Sequence, residues 1–194
     1  MRNRGAIDWS QSTGLVNALY DMNGSYAPGT IVANSGWSAA PYSGQVSQVT
    51  AYKLVNNVTD LQNVSQDLAG NYALGKNIDA SSAADQNGAS TFAPIGLMPD
   101  AAFTGQFDGF GHDIDKLRVS DDTSARDVGL FGMIGEGGVV RDLNVTNATV
   151  TGFSGSNSFG IVAGRNNGTI AYATSSGENS NEGFGTAGNG GSST

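Results

Sequence analysis

The chain has 194 residues, carries a formal net charge of −8 and is 38% hydrophobic, which suits one domain with a thin core. No Lys or Arg lies between Gly5 and Tyr52, and this scarcity of positive charge argues against binding nucleic acid or anionic membranes. No cysteine is present, so no disulfide can form, which is compatible with a large exported β protein. No apolar run is long enough to predict a membrane span, and no apolar stretch follows residues 1–4, so no signal peptide is expected.

Glycine is abundant, with 29 residues against only 4 prolines. The glycines recur beside apolar residues, a pattern typical of tight turns between short strands. Ser, Thr, Asn, Ala and Val dominate the rest, and they favour strands over helices. We therefore predict an all-β protein.

The first half of the chain contains several short strand candidates separated by turn signals. Strands are predicted at residues 6–9, 30–33 and 52–55, and turns at Asn23-Gly24 and Pro28-Gly29.

One short helix is predicted near residues 59–69. Thr59 and Gln62 form a capping-box pattern, and Gly70 stands where the helix would end. Leu61, Val64 and Leu68 would share its apolar face. The segments that follow are predicted strands at residues 72–74 and 76–79 and a loop at residues 81–91.

The second half of the chain repeats itself. Gly129-Leu130-Phe131-Gly132 returns as residues 160–164, and residues 138–140 return as residues 168–170. Gly105-Gln106-Phe107 looks like an earlier copy, at a shorter interval before Gly129-Leu130-Phe131. Such periods are typical of solenoids. At about 25 residues per turn, the chain would form about eight turns and a rod about 40 Å long.

Apolar strand positions in this half predict one continuous core. Its expected members are Ile114, Leu117, Leu130, Val140, Leu143, Val145, Val150 and Ile170. We predict a solenoid over residues 1–174 and a Gly/Ser/Asn-rich tail or linker over residues 175–194. Such a tail would be ordered by hydrogen bonding along a sheet edge, of this chain or of a neighbouring molecule.

Three ordered motifs carry a family resemblance. They are residues 52–80 (Tyr-Lys-Leu-Val … Gly-Asn-Tyr-Ala-Leu-Gly-x-Asn-Ile-Asp-Ala), residues 92–117 (Phe-x-Pro-Ile-Gly … Phe-x-Gly-x-Phe-Asp-Gly-x-Gly-His-x-Ile) and residues 128–143 (Val-Gly-Leu-Phe-Gly … Gly-Gly-Val-Val-Arg-Asp-Leu). The set resembles the filamentous-haemagglutinin-like exoproteins of Gram-negative bacteria, and its last part resembles their GLUG repeats. The resemblance covers about residues 52–174.

The resemblance implies a right-handed parallel β-helix within a long secreted or surface-attached protein, associated with a Gram-negative outer membrane. Proteins of this kind act as adhesins, biofilm matrix components or toxin stalks. The expected partners are a cell-surface glycan, a matrix component or a protein receptor, together with self-association through the ends of the solenoid.

Acidic residues crowd one stretch of the chain, where they could hold Ca²⁺ or simply form a solvated turn face. They are Asp100, Asp108, Asp113, Asp115, Asp121, Asp122 and Asp127. Lys116, Arg118 and Arg126 lie among them, so a polysaccharide lyase stays open as an alternative. His112 is the only histidine; the family pattern has one here, so it resembles a structural turn residue.

Two further patterns are open to more than one interpretation. Trp9, Trp37, Tyr42 and Tyr52 could form a sugar-stacking platform or pack as core and end caps. Six Asn-x-Ser/Thr sequons could be glycosylated or arise by chance, at Asn23, Asn57, Asn63, Asn144, Asn147 and Asn167.

The sequence thus favours a non-catalytic structural and adhesive segment, with no catalytic residue, cofactor or metal. The alternatives are a carbohydrate-binding module or a polysaccharide-degrading β-helix enzyme. A groove lined by aromatics and Asp would favour the binding module, and a Lys or Arg within reach of paired Asp in it would favour the enzyme.

Overall fold

The structure, a computed structural model, describes residues 5–83, 91–97, 99–120, 127–153 and 158–182. These residues form a parallel β-solenoid of about 5 turns with a single short α-helix, which confirms the predicted fold class. The strands are β1 (Ala6–Asp8), β2 (Val16–Asp21), β3 (Thr30–Val32), β4 (Val49–Val55), β5 (Asn71–Leu74), β6 (Ile78–Asp79), β7 (Gln106–Asp108), β8 (Asp113–Asp115), β9 (Arg118–Ser120), β10 (Asp127–Val128), β11 (Phe131–Ile134), β12 (Val139–Arg141), β13 (Asn144–Phe153), β14 (Ser158–Phe159), β15 (Ala163–Asn166), β16 (Thr169–Ala171) and β17 (Thr174–Glu182).

Two long parallel sheets form the main walls of the solenoid. The six-stranded sheet has the order β16-β12-β7-β5-β4-β2. The five-stranded sheet has the order β17-β13-β8-β6, with β9 also pairing with β13. Three parallel pairs complete the turns: β1 with β3, β10 with β14, and β11 with β15.

The turns are longer than the sequence suggested, so the prediction of about eight turns was wrong. Asp108 and Arg141, Cα partners in the six-stranded sheet, stand 33 residues apart in the chain. In the five-stranded sheet Asp113 pairs with Asn144 and Asn144 with Thr174, at separations of 31 and 30 residues. Six strands spaced by about 4.8 Å span only about 24 Å, well short of the predicted rod.

The repeat of the Gly129-Leu130-Phe131-Gly132 motif at residues 160–164 is confirmed, and the structure explains its uneven spacing. Asp127 pairs with Ser158, at a separation of 31 residues. Phe131 pairs with Ala163, and the separation of this pair is one residue longer than that of Asp127 and Ser158. One extra residue has therefore been inserted between the two pairs, as the longer copy at residues 160–164 shows.

The earlier copy at Gly105 was misassigned, and this error produced the short repeat. Phe107 pairs with Val140 in the six-stranded sheet, whereas Phe131 pairs with Ile95 in a different wall. Both glycines pass close to a neighbouring backbone: a Cβ would lie 2.0 Å from a carbonyl oxygen at Gly105 and 2.4 Å from one at Gly129. The same steric need therefore creates similar sequences at different corners of a turn.

The predicted core is confirmed. Its expected members are buried, apart from Ile170, which is partly buried and packed against the cluster. Aromatic rings continue this column: the centroids of Phe103 and Phe131 are 5.0 Å apart, and those of Phe107 and Phe131 are 5.5 Å apart.

The helix is confirmed, but its cap and its end differ from the prediction. The α-helix α1 spans Val58–Asn63 and continues as a 3₁₀ helix over Val64–Gln66. Its N-cap is Asn57, whose side chain accepts a hydrogen bond from the Asp60 backbone N–H, while the Asp60 carboxylate accepts one from the Asn56 N–H. The predicted capping box at Thr59 and Gln62 was wrong because Asn is the stronger N-cap and stands earlier in the chain.

The turn that contains the helical segment is short. Leu61 and Val64 are fully buried, so α1 and the 3₁₀ helix after it cover the core in this turn. Lys53 pairs with Tyr72, a much shorter step along the chain than in the later turns. Leu68 packs partly buried against the core, as predicted. A second 3₁₀ helix spans Pro99–Ala101.

The Gly/Ser/Asn-rich segment contributes a strand. β17 pairs in parallel with β13 from Thr174 to Glu182, with a register shift between Val145 and Ala148. Residues 183–194 lie outside the described residues, and a domain boundary at residue 174 stays a prediction.

Candidate functional surface

The outer face of the five-stranded sheet carries stacked polar side chains. Along β8 and β13 the apolar side chains of Ile114 and Val145 point into the core, and their polar neighbours therefore point outward. We call this surface the polar ladder; it consists of Asn77, Asp79, Asp113, Asp115, Asn144, Thr146, Asn147 and Thr174.

The first column of the polar ladder links four successive turns. The Asn144 Nδ2 donates to Asp113 Oδ1 at 2.8 Å, and the Thr174 Oγ1 donates to Asn144 Oδ1. Asn77 Oδ1 accepts from the Asp113 backbone N–H at 3.2 Å and lies 3.1 Å from His112 Nδ1. His112 therefore joins one turn to the next.

The second column centres on Asp115. Its Oδ1 accepts hydrogen bonds from Asn147 Nδ2 at 2.7 Å and Thr146 Oγ1 at 2.8 Å, and these bonds hold the pKa of Asp115 below its ordinary value. Lys116 Nζ lies 3.2 Å from Asp79 Oδ2 and 3.5 Å from Asp115 Oδ2. Hydrogen bonds from Ser81 and then from Lys116 lower the pKa of Asp79 to about 2.

This column has one of the two features that would favour an enzyme, a Lys within reach of paired Asp residues. Lys116 does lie between two carboxylates, yet about half of its side chain is exposed on the outer face of a sheet and not in a groove. A hollow in the structure is instead lined by residues 7–12, on the first turn. Arg118 is exposed on β9, and Arg126 lies outside the described residues.

The acidic residues of the central stretch are dispersed around the solenoid. Asp113 and Asp115 face outward from the five-stranded sheet, Asp108 lies on the six-stranded sheet, Asp127 lies on β10, and Asp100 is exposed on a 3₁₀ helix. Asp121 and Asp122 fall outside the described residues. Among the residues that the structure describes, no three His, Cys, Asp or Glu side chains form a group that could hold a metal ion.

A buried ion pair joins distant parts of the chain. The Arg141 Nε and Nη2 donate to Asp108 Oδ2 at 2.8 and 2.6 Å, and Asp108 is only 1% exposed. The Arg141 Nη1 donates to the Ser43 carbonyl at 3.0 Å. Burial raises the pKa of Asp108, while the Phe110 backbone N–H and Arg141 act in the opposite direction.

Ser43 belongs to the strap, residues 33–48, which connects β3 to β4 and crosses the outer face of the six-stranded sheet. A Cβ on Gly44 would lie 3.3 Å from the Ala171 Cβ and 3.4 Å from the Val139 side chain. The strap thus reaches from the second turn to the last. Sequence reasoning missed this contact because Ser43 and Arg141 are 98 residues apart and neither stands in a motif that links them.

A smaller polar contact joins β10 to the next turn. The Ser158 Oγ donates to Asp127 Oδ1 at 2.6 Å, and the Arg165 Nε lies 3.2 Å from Asp127 Oδ2.

The four aromatic residues differ in their surroundings. Tyr52 is 4% exposed and packs edge-on against Phe110, whereas Tyr42 is 92% exposed at a positive φ in the strap. Trp9 lines the hollow on the first turn, and Trp37 is half-buried in the strap. Tyr52 therefore packs as a core residue, and Tyr42 is available to a partner.

Comparison with known proteins finds a relative with a long chain. This chain is 37% identical over 143 residues to halomucin of Haloquadratum walsbyi, and the match covers 71% of this chain. The chain spans only 2% of the length of halomucin. No family model matches the chain, and no solved structure matches it. In the described part of the chain, no helix has the length and apolar character needed to cross a membrane.

Proposed function

We propose that this chain is a non-catalytic structural and adhesive segment of a secreted or surface-attached protein. The observation that carries the proposal is the polar ladder, which presents hydrogen-bonding groups at regular intervals on a stack of parallel strands. Its amides, hydroxyls and carboxylates suit the hydroxyl groups of a glycan or the polar surface of a matrix protein.

Similarity to halomucin supports a surface-associated location. The name of that relative places it with the mucins, which are glycoproteins of cell surfaces and secretions, so a homologous segment in a surface or secreted protein is consistent with it. Four finer assignments are hypotheses that this similarity does not address: membership of the filamentous-haemagglutinin-like group, GLUG repeats, a Gram-negative outer membrane and a role in biofilms.

The experiment is a binding screen joined to a turnover assay. The purified chain is applied to a glycan array and to immobilised matrix proteins, and separately incubated with the polysaccharides that bind. Saturable binding without release of oligosaccharides is expected. Release of oligosaccharides would favour the polysaccharide-degrading enzyme, with Lys116 and its two carboxylates as its first candidates.

A matched pair of variants tests whether the polar ladder is the binding surface. The double variant Asp113→Ala/Asn144→Ala removes two stacked groups of the first column, so it should weaken binding while circular dichroism stays unchanged. Thr151→Ala removes a hydroxyl near Ser180, 3.3 Å away on the same sheet and outside the polar ladder, and should bind normally. Equal binding by both variants would place the receptor site elsewhere.

A further inference from the structure

The six sequons are not equivalent in the folded chain. Transfer of a glycan requires the asparagine Nδ2 to reach a membrane-bound enzyme, with the Ser or Thr hydroxyl two residues later also accessible. A side-chain amide that is already hydrogen-bonded must first be released, and local opening of a folded element costs free energy.

Four of the six asparagines hold structural hydrogen bonds. Asn57 caps α1, and its Nδ2 also donates to Asp60 Oδ2 at 2.9 Å. Asn144 and Asn147 donate their Nδ2 atoms within the polar ladder. At Asn57, Asn144 and Asn147 attachment of a sugar therefore competes with a contact of the fold. Asn63 Oδ1 accepts from the Gln66 Nε2 at 3.1 Å, and the Ser65 Oγ of the same sequon is buried, so its hydroxyl is exposed only after local opening.

Asn23 and Asn167 are different. Asn23 is exposed in the turn after β2, where the Gly24 N–H donates to the Asp21 carbonyl at 2.8 Å. Asn167 is exposed in the turn between β15 and β16. Within the described residues, neither side-chain amide makes a hydrogen bond.

Their hydroxyl partners are accessible too. Ser25 and Thr169 are both exposed, and each follows a glycine that adds no side chain to the approach. The two turns adjoin β2 and β16, the end strands of the six-stranded sheet. Glycans there would stand beside the two ends of that sheet and leave the polar ladder uncovered.

We propose that Asn23 and Asn167 are N-glycosylation sites and that the other four sequons are not used in the folded protein. The donor is an oligosaccharide linked through pyrophosphate to a lipid. The Asn Nδ2 forms a bond to the sugar C1 and loses a proton, while the C1–O bond breaks and the lipid pyrophosphate leaves. This inference does not depend on an adhesive role.

The test compares the folded chain with the same chain unfolded and held in mild denaturant. Each is incubated with a single-subunit oligosaccharyltransferase and a lipid-linked oligosaccharide, and intact glycopeptides are weighed. Intact glycopeptides are needed because both sites are Asn-Gly pairs, which deamidate to the same product that enzymatic deglycosylation leaves.

In the folded chain we expect occupancy at Asn23 and Asn167, and about tenfold or more lower occupancy at the other four sites, where opening must come first. In the unfolded chain those four should rise toward the same level. Asn23→Gln and Asn167→Gln should each remove one glycan mass, and the control Asn144→Gln none. No transfer to the folded chain at either site, or equal transfer at Asn57 or Asn144, would overturn the proposal.

Discussion

Residues 5–48 and residues 49–173 belong to one solenoid, yet they are held together differently. In residues 5–48 the only buried residues are Ser43 and Gln48, both polar. The Gln48 Nε2 donates to the carbonyls of Ser12 and Gly14, and its Oε1 accepts from the Asn34 backbone N–H. In the second region, apolar side chains stack on one another turn after turn.

Two different kinds of contact therefore hold successive turns of this solenoid together. The later turns are held by burial of apolar area, which stabilises by about 25 cal/mol per Å². The first turns are held by strand pairing and by side-chain hydrogen bonds between loops, each contributing only about 1 kcal/mol net. Exposed large apolar residues accordingly gather in the first region, including Leu15, Leu19 and Val32.

The largest expected effect comes from placing a charge in the stacked region. Leu143 is 1% exposed, so Leu143→Asp buries an unpaired carboxylate and should abolish cooperative folding. The matched control is Leu19→Asp, since Leu19 is 49% exposed on β2, and its stability should change by less than about 0.5 kcal/mol. Thermal unfolding followed by circular dichroism compares the two. A soluble Leu143→Asp variant that melts cooperatively would contradict the core assignment.

Next in size is the ion pair of Asp108 and Arg141, whose guanidinium also donates to the Ser43 carbonyl in the first region. Arg141→Met leaves the Asp108 carboxylate buried without its counter-charge, and should cost about 3 kcal/mol in urea unfolding. Asp142 also lies near Arg141, at 3.3 Å, but is 37% exposed. Asp142→Asn should therefore cost less than about 1 kcal/mol. Equal losses in the free energy of unfolding for the two variants would show that the burial of Asp108 does not determine how much the ion pair stabilises the fold.

A smaller effect is expected at the helix cap. Asn57→Ala removes the side-chain acceptor of the Asp60 N–H and should lower the free energy of unfolding by about 1 kcal/mol. Thr59→Ala is the control, because Thr59 is exposed and makes no cap. If Thr59→Ala were the more harmful change, the cap would lie where the sequence alone had placed it.

The smallest expected effect is on the stability of the fold at low pH. The folded-state pKa of Asp79 is about 2, below its ordinary value of 3.8, so its stabilising contribution is present above about pH 4 and is lost as the pH falls to about 2. The pKa shift of Asp108 has the opposite sign, because its pKa is raised and protonation of Asp108 therefore favours the folded form. Urea midpoints of Asp79→Asn should therefore lie below those of the parent at pH 7 and meet them near pH 2. A constant difference at all pH values would contradict the shift.

Much of the fold followed from local patterns, and the errors have physical causes. The strands β1, β3, β4 and β5 carry β-branched or aromatic residues between turn signals, and they were predicted. β17 has a Ser/Gly/Asn sequence with no strand pattern of its own, so it was predicted only as a tail that hydrogen-bonds along a sheet edge, and its pairing with β13 of the same chain confirms that part of the prediction. The period was underestimated because similar Gly-apolar sequences serve different corners of one turn.

The candidate surface was less predictable than the fold. Asp113 and Asp115 were singled out by their density along the chain, but their partners Asn144 and Thr146 stand 31 residues later and become neighbours only once the register is known. The strap contact could not be inferred, because no periodicity links Ser43 to Arg141.

The register of the turns is the central claim, and paired cysteines test it most directly because the chain has none of its own. Arg118 and Thr149 are Cα partners on adjacent strands of the five-stranded sheet, at a spacing that a disulfide can bridge. We predict that Arg118→Cys/Thr149→Cys oxidises readily to an intramolecular disulfide, whereas Arg118→Cys/Thr151→Cys, shifted along the strand to the next position on the same face, does not. Arg118→Cys/Asp142→Cys represents the shorter repeat that the Gly105 copy suggested and should also stay reduced. A disulfide in either shifted pair, with none in the first, would contradict the solenoid described above.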